Sequence, residues 1–470
     1  MRLFRCAAFC LASACALVVA PARAGNPTDA LAVPPSGVIG LDNDAMLTPA
    51  FWIGQLPQPD QVLLDSAAIT AQNARLLQLD PSMHDLRTLP STLTRAQVQG
   101  WINQVSQLPQ RPLYDENGAR VPASVTALAT DQLALDRVAE TQGTRYGLVV
   151  RRAPFRSFPT DARVFTSDDD ADIDRFQETA EFPGTPVAIV HASRDGQWLF
   201  VLSARYAAWT RKENVGEGSV QQVFAYAGRL PQRVVTGAVV ETVHTRERPA
   251  VSQLRLDMGT AVPVLPDHPA DQPVNGQSPY AAYVIDLPLR TASGALGFTP
   301  ALVRRQADTS ESYLPLTEGN IIRQAFKFLG ERYGWGHDYD GRDCSGFVSD
   351  VYRSMGVQMP RDTGRQAGSP VLAHRSFSAR DSHDARMQAV RELKVGELVY
   401  IPGHVMMVIG RVNGEPYVIH DTTGISYRDG SGGTRQVKLN AVSVTPLLPL
   451  MLDGGHSYVD RMTSIVHIRS

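Results

Sequence analysis

GRDCSGFVSDVYRSMG, Gly341 to Gly356, carries the last cysteine of the chain at the head of an amphipathic run. From Cys344 onward it reads as a helix. Phe347, Val348, Val351, Tyr352 and Met355 form one apolar stripe, and Gly356 supplies the stop. Cys344 falls in the first turn of that helix. Unpaired N–H groups and the helix dipole favour negative charge there, so a lowered thiol pKa and a nucleophilic role are expected. The competing reading is a small buried apolar residue.

A thiol nucleophile needs a base. Downstream, GELVYIPGHVMMVIGRVNGEPYVIHDTTG reads as three strands, Glu397–Ile401, His404–Val412 and Glu415–Asp421, with Asn413-Gly414 as a hairpin turn. His404 opens one arm and His420 lies near the end of the next. A strict two-residue turn would pair Val412 with Glu415 and send the two imidazoles to opposite faces. A three-residue loop or one bulge would reunite them, and such an irregularity is expected. His337 is a loop neighbour of the cysteine, and His374 and His383 fall in a polar loop. With a single cysteine beyond residue 15 and no His-Glu-x-x-His pattern, the sequence argues against zinc, and no cofactor is expected.

Upstream, TEGNIIRQAFKFLG reads as a helix capped by Thr317. The glycine- and aromatic-rich ERYGWGHDYDGRDCSG joins it to Cys344. The remaining chain divides by pattern. Residues 25–140 read as short helices cut by prolines, including Gln61–Leu79 and a segment starting at Thr92. Residues 141–215 and 216–310 read as two small β-barrels of short strands, with a break near Gly216–Ser219 and a linker near 306–316. Residues 311–470 hold the chemistry. Asp168–Asp174 has alternate aspartates and Glu181 at loop position 12. Arg175 stands where a calcium loop needs glycine, so a solvated acidic loop is the better reading.

Composition bounds the function. The chain has 470 residues, 43% hydrophobic and 20% charged, with formal charge −2, which gives no electrostatic case for nucleic acid. Arg2, Arg5, an apolar run from Cys6 to Ala20 and Ala22-Arg23-Ala24 have the layout of a secretory signal peptide over residues 1–24. The expected location is the periplasm or cell envelope. Lipid anchoring at Cys15 is the weaker alternative, and no segment is long enough to span a membrane.

RYGWG…DCSGFVSDVYRSMGVQMPRDTGRQ…KVGELVYIPGHVMMVIG…YVIH resembles the NlpC (p60-like) family of cell-wall cysteine peptidases. The resemblance implies a papain-like α+β domain within a multidomain α+β chain, and a triad of Cys344, His404 and His420. It also implies roles for Tyr333 at the oxyanion and for Asp343 and Ser345 at the substrate backbone and amine. Thr363 stands where the family often has serine. The segment from Arg145 to Trp209 is similar to bacterial SH3-like modules that precede one subgroup, which has a helical N-terminal region and two such barrels. That similarity implies Glu178 and Tyr206 as contacts for a free N-terminal L-alanine, and leaves Trp209 to the barrel core. The implied reaction is cleavage of the γ-D-glutamyl–diamino acid bond, typically to meso-diaminopimelate, in peptidoglycan stem peptides by a monomer. The alternatives are an amidase cutting muramoyl–L-alanine and a non-catalytic wall-binding protein. Two departures from the family pattern are a longer His404–His420 hairpin and the insert Ser369–Leu393, read as an added lip on the groove.

Overall fold

The computed structural model describes residues 31–429, 433–453 and 455–469. The stretch read as a signal peptide, with Cys6, Cys10 and Cys15, lies outside them.

The Cys344 helix runs Cys344–Arg353, with Asp343 as its N-cap. Phe347, Val348, Val351, Tyr352 and Met355 are all buried, and Gly356 adopts φ 81° at the helix end. This helix and its neighbour, Glu318–Phe326 capped by Thr317, pack on one face of an antiparallel sheet. The strand order is Ala373–Ser376, Ser464–His467, Leu398–Ile401, His404–Val412, Glu415–Arg428 and Thr434–Pro446.

The insert Ser369–Leu393 occupies the edge of this sheet opposite the long Glu415–Pro446 hairpin. It adds the edge strand Ala373–Ser376 and the helix His383–Glu392. Ala389, Val390 and Leu393 of that segment bury against the sheet face away from the Cys344 helix. It does not line the groove at the cysteine, so the expected lip is instead a sheet extension. Its apolar residues fall at helical spacing and find a core there.

The first barrel is one antiparallel sheet ordered Val215–Gly218, Arg145–Val149, Pro186–Ala192, Trp198–Leu202, Ala207–Arg211, Ala153–Arg156 and Gln177–Glu181. Val215–Gly218 pairs with Tyr146–Val149, so the barrel continues through the Gly216–Ser219 segment read as a break. Chain direction changes at the helix Val220–Tyr226, capped by Ser219. Beyond it, Gln232–Val235 pairs with Ala261–Pro263 and Thr309–Ser310, Val239–Glu241 with Arg255–Asp257, and Ala282–Arg290 with Leu296–Arg304. These enclose Val235, Leu256, Val262, Ile285 and Val303. The 306–316 stretch is therefore partly strand.

The N-terminal region serves two cores. Trp52, Ile69 and Leu76 pack with the Cys344 helix core, whereas Leu93, Val98, Ile102 and Val138 pack with the first barrel around Trp209. Two helix starts move from their sequence reading. Val62–Leu64 is a strand paired with Leu316–Thr317, and the helix Ser66–Leu79 begins after the Asp65 cap. Thr92–Thr94 is likewise a strand. Thr94, not Thr92, caps Arg95–Val105 through a reciprocal pair with Gln97.

Buried charge ties the parts together. Arg342 is fully buried and bonds Asp350 at 2.7 Å, Glu331 at 2.7 Å and Asp257 at 2.9 Å. Asp257, from the second strand-rich region, also bonds Arg152 of the first barrel at 2.6 Å. Removing one member would strand its partners in a low-dielectric interior. The acidic loop contributes too. Asp172 bonds Arg332 at 2.5 Å, and Asp174 bonds Arg156 at 2.9 Å.

Candidate active site

The register of the histidine hairpin decides whether a site exists. Asn413 (φ 51°) and Gly414 (φ 86°) make the two-residue turn, and Val412 pairs with Glu415. The register then slips by one between Val408 and Gly410. That bulge places His404 and His420 on the same face. Gly410 has φ 154°, and a Cβ there would meet the Trp52 ring at 2.8 Å, so close packing from the N-terminal region requires glycine at the irregularity. His404 Nε2 lies 2.7 Å from His420 Nδ1, and His420 Nε2 lies 3.0 Å from Thr445 Oγ1.

Cys344 is buried against the backbone that leads into His404. Its Sγ is 4.0 Å from the Gly403 carbonyl oxygen, and the Val405 N–H points to the sulfur. The sulfur's hydrogen bond goes to this carbonyl and not to the His404 ring, which packs against Tyr458 at a centroid distance of 6.4 Å.

The ionisation differs from the helix-dipole expectation. Burial pushes the thiol pKa up, and the Asp343 carboxylate beside it adds to the rise against the Val405 N–H. Burial lowers His404 to about 4, and burial with the neighbouring His404 lowers His420 well below the usual range. The resting set is thus a neutral thiol beside neutral imidazoles. Desolvation outweighs the first-turn dipole because the sulfur is enclosed rather than facing water.

Asp343 is held from several sides. It accepts from the N–H of Gly346 at 2.8 Å, the N–H of Gly336 at 3.0 Å and Ser345 Oγ at 3.0 Å. Arg361 donates to it at 2.5 Å. Burial works to raise the carboxyl, but the Arg361 charge and these bonds overcome it and hold the pKa at about 2. Arg361 also bonds Ser345 Oγ, and its Nε donates to Thr179 Oγ1 of the first barrel at 2.9 Å. Next to Thr179, Glu178 accepts from the Tyr206 hydroxyl at 2.6 Å. Burial raises Glu178 to about 7, partly offset by that hydrogen bond.

Tyr333 is buried within the electrostatic reach of Cys344 and lines a groove with His404 and Gly403. Thr363 begins the short helix Thr363–Ala367, and its hydroxyl makes no hydrogen bond among the described residues. Trp209 lies in the barrel core. His337 is buried against Gly346 in the first turn of the Cys344 helix, and burial lowers it to about 3.

Three residues escaped the sequence reading. Arg361 stands in the quoted PRD segment, but its role depends on a barrel strand far away in sequence. Thr445 is a strand residue with no local signal. Asp421 follows His420, is fully buried, and has both carboxyl oxygens without partners among the described residues. Burial, then Asp343 and Glu331, raise its pKa well above the usual range.

Residues 330–443 match the NlpC/P60 family, and residues 163–211 match the SH3 domain of SH3b1 type. The chain carries an NlpC/P60 domain. A probable endopeptidase p60 of Listeria seeligeri is 32% identical over 120 residues, which cover 24% of this chain and 20% of that protein. The chain thus matches about a fifth of that relative's length. Among solved structures, an NlpC/P60 endopeptidase from Photobacterium damselae subsp. piscicida superposes with TM-score 0.69 at 14% identity, covering 87% of this chain and 94% of that one. That likeness extends the shared fold well beyond the NlpC/P60 segment. An NlpC/P60 family protein from Bacillus cereus gives TM-score 0.41 at 19% identity, covering 63% of this chain and 83% of its own.

Proposed function

We propose that this protein is an exported or envelope-associated cysteine peptidase that cleaves the γ-D-glutamyl–diamino acid bond of peptidoglycan stem peptides, preferring stems with a free N-terminal L-alanine. The observation that carries the reading is the His404–His420–Thr445 hydrogen-bonded chain, together with a helix-start cysteine whose sulfur packs on the Gly403 carbonyl that precedes His404. The preference for a free amine rests on Glu178 and Tyr206, which the first barrel brings near Arg361 and Asp343.

In this reading His404 Nδ1 accepts the thiol proton as sulfur attacks the γ-carbonyl, because a neutral thiol and a neutral imidazole gain charge only during attack. The Cys344 N–H and the Tyr333 hydroxyl donate to the oxyanion. His420 accepts from His404 Nε2–H and steadies the imidazolium. That imidazolium then protonates the departing diamino-acid amine. Water, deprotonated by His404, attacks the thioester and releases the acyl product.

Incubating the protein with L-Ala–γ-D-Glu–meso-diaminopimelate and with the same stem on muramic acid, followed by product mass, tests the proposal. The expected result is cleavage of the free peptide at the γ-bond and loss of that activity in Cys344→Ala. Release of an intact stem from muramic acid would make the protein an amidase. Unchanged cleavage in Cys344→Ala would remove the cysteine mechanism.

A further inference from the structure

A groove of about 510 Å³ runs from the reaction centre along the long hairpin, and Glu178 is not among its lining residues. Tyr333, Gly403 and His404 form its inner end, and the long hairpin supplies Thr422, Ser426 and Lys438 further along. Its lining is hydroxyl, amide and apolar. Among the described residues that line it, Lys438 carries the one permanent charge.

Lys438 is placed to engage a ligand. Its side chain is 74% exposed, and its ammonium lies 3.3 Å from Asp172 Oδ2. An exposed pair of this kind contributes little to stability. Asp172 is also held by Arg332 at 2.5 Å and by Asn440 Nδ2 at 3.2 Å. Lys438 can therefore turn into the groove without leaving Asp172 unpaired.

We propose that Lys438 is a specificity residue that binds a carboxylate of the leaving amino acid. The inference rests on the proposed bond and on its polarity, with the free amine at Glu178 and the departing diamino acid in the hairpin groove. A diamino acid such as diaminopimelate brings two carboxylates, one on the main chain and one on the side chain. An ammonium among neutral donors would favour either over its amide.

The test compares kcat/KM on three synthetic stems: L-Ala–γ-D-Glu–diaminopimelate with both carboxyls free, with the main-chain carboxyl amidated, and with the side-chain carboxyl amidated. The wild type is expected to prefer the free stem over one of the amides by about tenfold, and which amide is poor identifies the carboxylate. Lys438→Met should lose that preference, Lys438→Arg should keep it, and Lys438→Glu should reverse it, all with unchanged melting temperature. Equal wild-type rates on all three stems, or a preference that survives in Lys438→Met, would overturn the inference while leaving the bond assignment intact. Absence of γ-bond cleavage in every stem would remove the bond assignment, and the role of Lys438 with it.

Discussion

The two flanks of Cys344 are built on opposite principles. Towards the barrel, Asp343, Ser345, Arg361 and Thr179 form a buried, hydrogen-bonded lattice that continues to Glu178 and Tyr206. Towards the hairpin the groove is open and nearly uncharged, with Lys438, the one permanent charge among its described lining residues, at the rim. A closed, charged flank can demand one end group, because a mismatched partner leaves buried charge unpaired. An open, neutral flank can admit varied chemistry and bias it modestly. Under the proposed function, this contrast predicts strict recognition of the amine end and graded recognition of the leaving end.

The sharpest way to break this contrast is Arg361→Met. It strands Asp343 in the interior with Ser345 and Thr179 unsupported, and should cost about 3–5 kcal/mol of stability by urea denaturation. The pH dependence should change with it. Asp343 is held at about 2, below its unfolded value, so it contributes stability above the unfolded pKa that is lost as pH falls through the folded one. That acid-side loss should shrink in the variant. His420→Ala leaves both flanks intact and removes the orienting bond to His404, so kcat should fall about a hundredfold with little change in KM.

Glu178→Gln tests the closed flank alone. With its pKa at about 7, Glu178 loses its carboxylate charge as pH falls through neutrality, so wild-type kcat/KM on free stems should show an acid limb near 7. His404, at about 4, cannot supply that limb. In Glu178→Gln the rate at pH 8 should drop about tenfold and the limb near 7 should vanish. A limb that persists would transfer recognition of the amine to another group.

What could be read from sequence was what depends on neighbours along the chain. The stripe from Phe347 to Met355 dictates the Cys344 helix. Asn413-Gly414 fixes the turn, and the wish to unite two histidines required a bulge that Gly410 provides. What could not be read lies across long separations. Arg361 meets Thr179 over 182 positions, and Trp52 meets Gly410 from the N-terminal region. Cys344 departs from its expected lowered pKa for the same reason. The first turn is local information, but the enclosure that raises the thiol comes from the packed sheet and the Asp343 lattice.

The smallest expected effect lies at Thr445, and it tests the proton geometry that both flanks share. If His404 receives the thiol proton at Nδ1, its Nε2 carries hydrogen and donates to His420 Nδ1, which fixes the His420 hydrogen at Nε2 facing Thr445 Oγ1. Thr445 is then an acceptor, and it is completely buried. In Thr445→Val, His420 Nε2–H loses its partner where no water replaces it. Shifting that hydrogen to Nδ1 would relieve the loss, but would face a donor with a donor at His404 and drive the proton of His404 to Nδ1, where it can no longer accept from sulfur. The cost should be about 1 kcal/mol, a roughly fivefold fall in kcat with KM unchanged. Thr445→Ser, which keeps the oxygen, should restore most of the rate. Equal rates in the valine variant and the wild type would mean that His404 acts through its other nitrogen.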